Sequence, residues 1–122
     1  MSNKLISCII SCYNEEKNIP ILLNQIKKNS LNEKFEFIIV NNGSSDNSYI
    51  VIEEAKEKFK DIIFINITEN LGWGNGVMSG LKIASCEYVG WTHGDLQYDL
   101  SILNEVYDLL IASQYQNESV LV

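Results

Sequence analysis

A chain of 122 residues, 46% of them hydrophobic, is long enough for one domain with a core and too short for two ordinary ones. Nine Lys and Arg against sixteen Asp and Glu give a net charge of −7, and most of the lysines interleave with Glu or Asn around 27–34 and 56–60, so nucleic acid is a poor partner. Cys8, Cys12 and Cys86 are odd in number and lack metal spacing, which speaks against a disulfide framework or zinc knuckle and suits a reducing cytoplasm. The apolar run at 5–10 is too short to span a membrane and has no cleavage-site pattern.

In chain order, a run at 5–11 rich in Ile precedes Ile19, Leu22, Leu23 and Ile26 at helix spacing, with Asn18 ahead of Pro20 as the helix start. The same couplet recurs as 35–40 before Ile52, Ala55 and Phe59, with Ser48 as a start signal. It recurs again as 62–67 before Val77, Gly80, Leu81 and Ala84, and as 88–91 before Leu103, Val106, Tyr107 and Leu110. Four apolar runs without polar alternation predict strands buried on both faces, and strand-helix alternation predicts an α/β fold with a mostly parallel sheet and flanking helices. Residues 117–122 read as the opening of another strand.

Ligands of such sheets bind beyond the carboxyl ends of the strands, and the loops there are polar and glycine-rich. The loop at 41–46 suits either a nucleobase edge and ribose or a tight turn into a helix. Gly72, Gly74 and Gly76 precede a helix whose amides could face a phosphate, but Val77 stands where a dinucleotide fingerprint needs its third glycine. His93, Asp95 and Gln97 alternate after the fourth strand, so in an extended chain they would point one way and offer an oxygen-rich set for Mg2+ or Mn2+. Trp73 and Trp91 suit either stacking on a ligand or packing, and Asp99, beside Tyr98, suits a cap for the fourth helix.

The stretches at 9–19, 37–48, 70–74 and 94–99 together resemble the nucleotide-binding half of family 2 glycosyltransferases with the GT-A fold, including the dolichyl- and polyprenyl-phosphate sugar transferases. The resemblance implies that Tyr13, Asn14 and Glu15 wrap the base and ribose, with Glu15 on the ribose, and that Asn41, Asn42 and Asp46 follow on the second loop. Gly72 and Gly74 would let the backbone approach the nucleotide. Asp95 matches the second acid of an Asp-x-Asp motif and Gln97 a glutamine two residues on, both implied ligands of metal or diphosphate. This chain departs from the family pattern at Asn41 and Asn42, which replace acids, at His93, which replaces the first acid of the motif, and at Cys12 and Leu100, which replace prolines.

The implied activity is inverting, metal-dependent transfer of a sugar from a UDP- or GDP-linked donor to a polyprenyl phosphate or glycan, in the cytoplasm or at the inner face of the membrane. Residues 1–122 would be the donor-binding part of one domain, inactive alone, with no catalytic base of its own and with the acceptor part absent. A sheet cut at this point is expected to self-associate through its open edge. The replacements at His93, Asn41 and Asn42 also motivate a non-catalytic nucleotide-sugar binding or regulatory module. A nucleotidyltransferase is disfavoured, because residues 12–18 lack the glycine-rich basic loop that it needs.

Overall fold

The computed structural model describes residues 4–116. Four strands form one parallel sheet: β1 (Ile6–Cys12), β2 (Phe35–Asn42), β3 (Ile63–Ile67) and β4 (Tyr88–His93), in the order β3-β2-β1-β4. They alternate with α1 (Asn18–Lys28), α2 (Ser48–Lys58), α3 (Trp73–Leu81) and α4 (Ile102–Gln116), and one 3-10 turn, Leu31–Glu33, precedes β2. On one face, Ile6, Cys8, Ile10 and Cys12 of β1 and Phe35, Phe37 and Ile39 of β2 pack against α1, α2 and α4. On the other, Ile9, Ile38 and Val40 meet Val77 of α3. The apolar runs are thus two-sided because helices cover both faces, and the buried Ile and Phe side chains supply most of the driving force.

Only β1 and β2 are buried as expected of all four strands. β3 is half-buried, and β4 exposes Tyr88, Val89 and Trp91. Both are sheet edges among the described residues, and the short α3 is alone among the described helices in covering the second face. The strands also run further than their apolar runs: Asn41, Asn42 and His93 are strand residues. Periodicity marks apolar side chains, whereas the ladder is made by backbone that is indifferent to them.

Helices α1 and α2 do begin at Asn18 and Ser48, but neither residue acts as a cap. Lys17 and Asn47 hold the cap positions without side-chain hydrogen bonds. The side chains of Asn18 and Ser48 bond into the loops instead. Asp99 does serve the start of α4, its Oδ1 accepting from the Ser101 amide at 2.9 Å. At the far end of the sheet, Glu36 accepts from the Ser7 hydroxyl (2.8 Å) and the Ser85 amide (3.0 Å), which pins β4 beside β1. Partial burial opposes ionisation of Glu36, yet these bonds and nearby Lys4 outweigh it and hold its carboxyl below the usual range. No described helix is long and apolar enough to cross a membrane. The strand expected at 117–122 lies outside the described residues.

Candidate functional site

Polar side chains gather at the carboxyl ends of β1, β2 and β4, starting with the loop after β1. Asn14 has a left-handed backbone (φ 55), tolerated by asparagine, and its Oδ1 accepts from the Ser45 amide at 2.8 Å, while its own amide donates to Ser44 Oγ at 3.0 Å. The Glu15 amide donates to Ser48 Oγ (3.1 Å) and the Glu16 amide to Asp46 Oδ2 (3.2 Å). Asp46 Oδ1 also accepts from the Ser48 amide (2.9 Å). Slight burial pushes the Asp46 carboxyl up, but the bonds from Ser48 and Glu16 outweigh that and hold it below the usual carboxylate range. Asn14 and Asp46 therefore lace the first two loops together. This lacing presents Glu15, whose Oε2 accepts from Asn18 Nδ2 at 2.6 Å and whose Oε1 has no protein partner among the described residues.

Asn41 and Asn42 end β2 almost fully buried, at 3% and 2% exposure. Asn41 Nδ2 donates to Asn66 Oδ1 (3.0 Å) and its Oδ1 accepts from the Ser44 hydroxyl (2.5 Å). Asn42 Nδ2 donates to the Gly72 carbonyl (2.9 Å) while its Oδ1 accepts from the Leu71 amide (3.3 Å). An amide both donates and accepts, and each of these positions uses both functions, so the fold itself explains amides where the family pattern has acids. Asn42 thereby sets the start of α3, where Gly72 adopts φ 85 and a β-carbon on Gly76 would stand 2.7 Å from Ser11 Oγ.

A polar cavity of about 260 Å³ opens over these strand ends. Tyr13, Glu15, Asn42, Trp73, His93 and Asp95 line it, with Ser11, Asn70 and Gly94 completing the wall. The structure thus brings together five residues expected from sequence: Tyr13, Glu15, Asn42, His93 and Asp95. Asn14, Asn41 and Asp46 stand behind that wall as supports, and Gly72 and Gly74 lie outside the lining. Ser11 and Asn70 were not anticipated. A serine inside a strand gives no periodic signal, and only the parallel register sets Ser11 beside His93.

The alternation of His93, Asp95 and Gln97 does not survive folding. β4 ends at His93, the chain turns at Gly94, and Leu96 is left-handed (φ 58). Gly94 lies so close to Cys12 that a β-carbon would approach its Sγ to 2.5 Å. Gln97 consequently lines a second, mostly apolar cavity of about 230 Å³ with Leu22, Tyr98, Leu100 and Leu103, and it shares only His93 and Asp95 with the polar cavity. Trp73 stacks on His93, ring centroids 5.0 Å apart and planes at 30°. Trp91 is 54% exposed on β4. Burial pushes the Cys12 thiol up to about 12, helped by the Glu15 charge, so it is an inert neighbour of the site.

Among the described residues no three His, Cys, Asp or Glu side chains approach closely enough to hold a metal ion. Asp95 and His93 nonetheless face one cavity. One carboxylate and one imidazole are a partial donor set, of the kind that fits Mg2+ or Mn2+ arriving with phosphate oxygens and water, not a closed protein cage.

A parallel sheet with its polar cavity at the strand ends defines an α/β protein whose ligand site lies at the carboxyl edge of the sheet. Residues 7–119 match the model of Glycosyl transferase family 2, and the chain belongs to that family. It is 40% identical over 84 residues to poly-beta-1,6-N-acetyl-D-glucosamine synthase of Staphylococcus aureus (strain COL), covering 69% of this chain and 20% of that protein. The Staphylococcus epidermidis enzyme of that name is 38% identical over 94 residues, 77% of this chain and 22% of the relative. The chain therefore spans about a fifth of the length of these curated relatives. Among solved structures, S. aureus TarS 1-349 superimposes with a TM-score of 0.75 at 25% identity, over 90% of this chain and 33% of that one. TarS in complex with UDP-GlcNAc does so with a TM-score of 0.73 at 26% identity, over 91% and 32%. The mannosyltransferase PcManGT from Pyrobaculum calidifontis, in complex with GDP-Man and Mn2+, shares the fold with a TM-score of 0.68 at 23% identity, over 84% and 31%.

Proposed function

We propose that the chain carries the donor site of an inverting, metal-dependent glycosyltransferase, and that the donor is a UDP-linked sugar. The observation that carries this is the convergence of Tyr13, Glu15, Asn42, His93 and Asp95 on one polar cavity at the ends of three parallel strands. UDP is preferred to GDP because a TarS structure similar to this chain holds UDP-GlcNAc. The relatives named as poly-N-acetylglucosamine synthases favour a growing glycan over a polyprenyl phosphate as acceptor. A cytoplasmic site of action agrees with the three free thiols.

In this assignment the unpartnered Glu15 Oε1 accepts from a ribose hydroxyl and the exposed Tyr13 ring lies along the base. The N-terminal end of α3, at Trp73, borders the cavity with its unpaired amides and positive dipole end toward the diphosphate. Asp95 and His93 would hold Mg2+ or Mn2+, which neutralises charge on the departing nucleoside diphosphate. The amides of Asn41 and Asn42 have structural partners, so they give no support to a non-catalytic module.

Calorimetric titration of the chain with UDP and with GDP, with and without Mn2+, tests this. UDP should bind with Mn2+ present, and Asp95→Ala should weaken it by about tenfold or more. Binding untouched by Asp95→Ala would overturn the assignment. We propose further that β4, an edge without a charged Lys or Glu along it and with Tyr88, Val89 and Trp91 exposed, pairs with a second copy in solution. Sedimentation should then show a concentration-dependent dimer that Val89→Lys abolishes, and a strict monomer would refute it.

A further inference from the structure

We infer that Trp73 is a positioning residue for donor binding, holding the His93 imidazole so that two rings from the start of α3 and the end of β4 act as one unit; this rests on the donor-site assignment above. His93 ends β4, and its side chain makes no hydrogen bond among the described residues. An imidazole so placed has a broad χ2 preference and nothing polar to fix its plane. What fixes it is the Trp73 face, stacked at 5.0 Å between centroids and 30° between planes.

Trp73 is in turn set by the backbone just before it, which Asn42 holds. Asn42 accepts from the Leu71 amide and donates to the Gly72 carbonyl, so the residue that follows opens α3 in a defined place. The indole is 44% exposed, so core burial does not account for it. Both rings line the polar cavity with Glu15 and Asp95. A stacked imidazole keeps its ring edge, with both nitrogens, available to phosphate oxygens or to a shared cation. His93 thus serves in place of a carboxylate because a flat aromatic partner stands opposite it, and a change at position 93 alone would strand Trp73.

The chain has a single histidine, so His93 ring protons give one unambiguous set of NMR signals. In the ligand-free 122-residue chain these signals should lie upfield from the Trp73 ring current, shift downfield in Trp73→Ala, and stay intermediate in Trp73→Phe. Calorimetry with UDP and excess Mn2+ should show Trp73→Ala weakening binding about three- to tenfold, the worth of one aromatic stack, with Trp73→Phe near wild type. Trp73→Ala should add nothing to His93→Ala, since the two residues act through one contact. His93 signals unchanged in Trp73→Ala, or losses that simply add in the double variant, overturn the inference while wild-type binding stands. Failure of the wild-type chain to bind UDP or GDP overturns the donor-site assignment and this inference with it.

Discussion

Gly43→Ala is expected to lower stability by about 4 kcal/mol, the sum of left-handed strain and a steric clash that cannot relax. Gly43 follows β2 with φ 66, and a β-carbon there would stand 2.1 Å from the Asn70 nitrogen and 2.3 Å from the Glu69 carbonyl carbon. Both contacts are backbone, so relief means moving the whole loop after β3. That loop carries Asn70 into the cavity wall and leads to Gly72, which Asn42 holds, so nucleotide binding should fall with stability. Gly74→Ala is the control. It lies in α3 with nothing within 4 Å of a new β-carbon, and it should be neutral or stabilising by up to about 1 kcal/mol. Urea midpoints of the two variants measure the difference. Equal midpoints would mean that the ends of β2 and β3 do not meet this way in solution.

Asn42→Asp, which restores the acid of the family pattern, should cost about 3 kcal/mol at neutral pH, because a buried amide donor is replaced by a charge facing a carbonyl. The lost bond is the one from Nδ2 to the Gly72 oxygen. Burial would raise the folded pKa of the new carboxyl above its unfolded value of about 3.9. A protonated acid can donate to Gly72 as the amide does. The deficit relative to wild type is therefore smallest below the unfolded pKa and grows as pH rises from there through the folded pKa. Denaturation of both chains at several pH values tests this sign. A deficit that shrinks with rising pH, or none at all, would show that Asn42 does not clamp the start of α3.

The alternation of apolar runs and helical spacings was enough to place four strands, four helices and their parallel arrangement, although only β1 and β2 are buried on both faces. Tyr13, Glu15, Asn42, His93 and Asp95 were legible because residues that end or immediately follow parallel strands must collect at one sheet edge. Tertiary structure alone decided what each polar group does there. Asn14 and Asp46 spend hydrogen bonds on each other's loops, and Asn41 bonds to Asn66 of β3. Besides the local bonds to Ser44 and Ser48, the partners Ser45, Asn66 and Glu16 lie 25 to 31 residues away along the chain, beyond any local pattern. The turn at Gly94, packed against the Cys12 sulfur of another strand, leaves Gln97 out of the polar cavity while His93, Asp95 and Gln97 still share the apolar one. The stack of Trp73 on His93 joins the start of α3 to the end of β4, twenty positions apart, only because β4 lies beside β1 and α3 packs over β1. Periodicity reports which face is buried, and hydrogen-bond partnership across loops is set by register and packing.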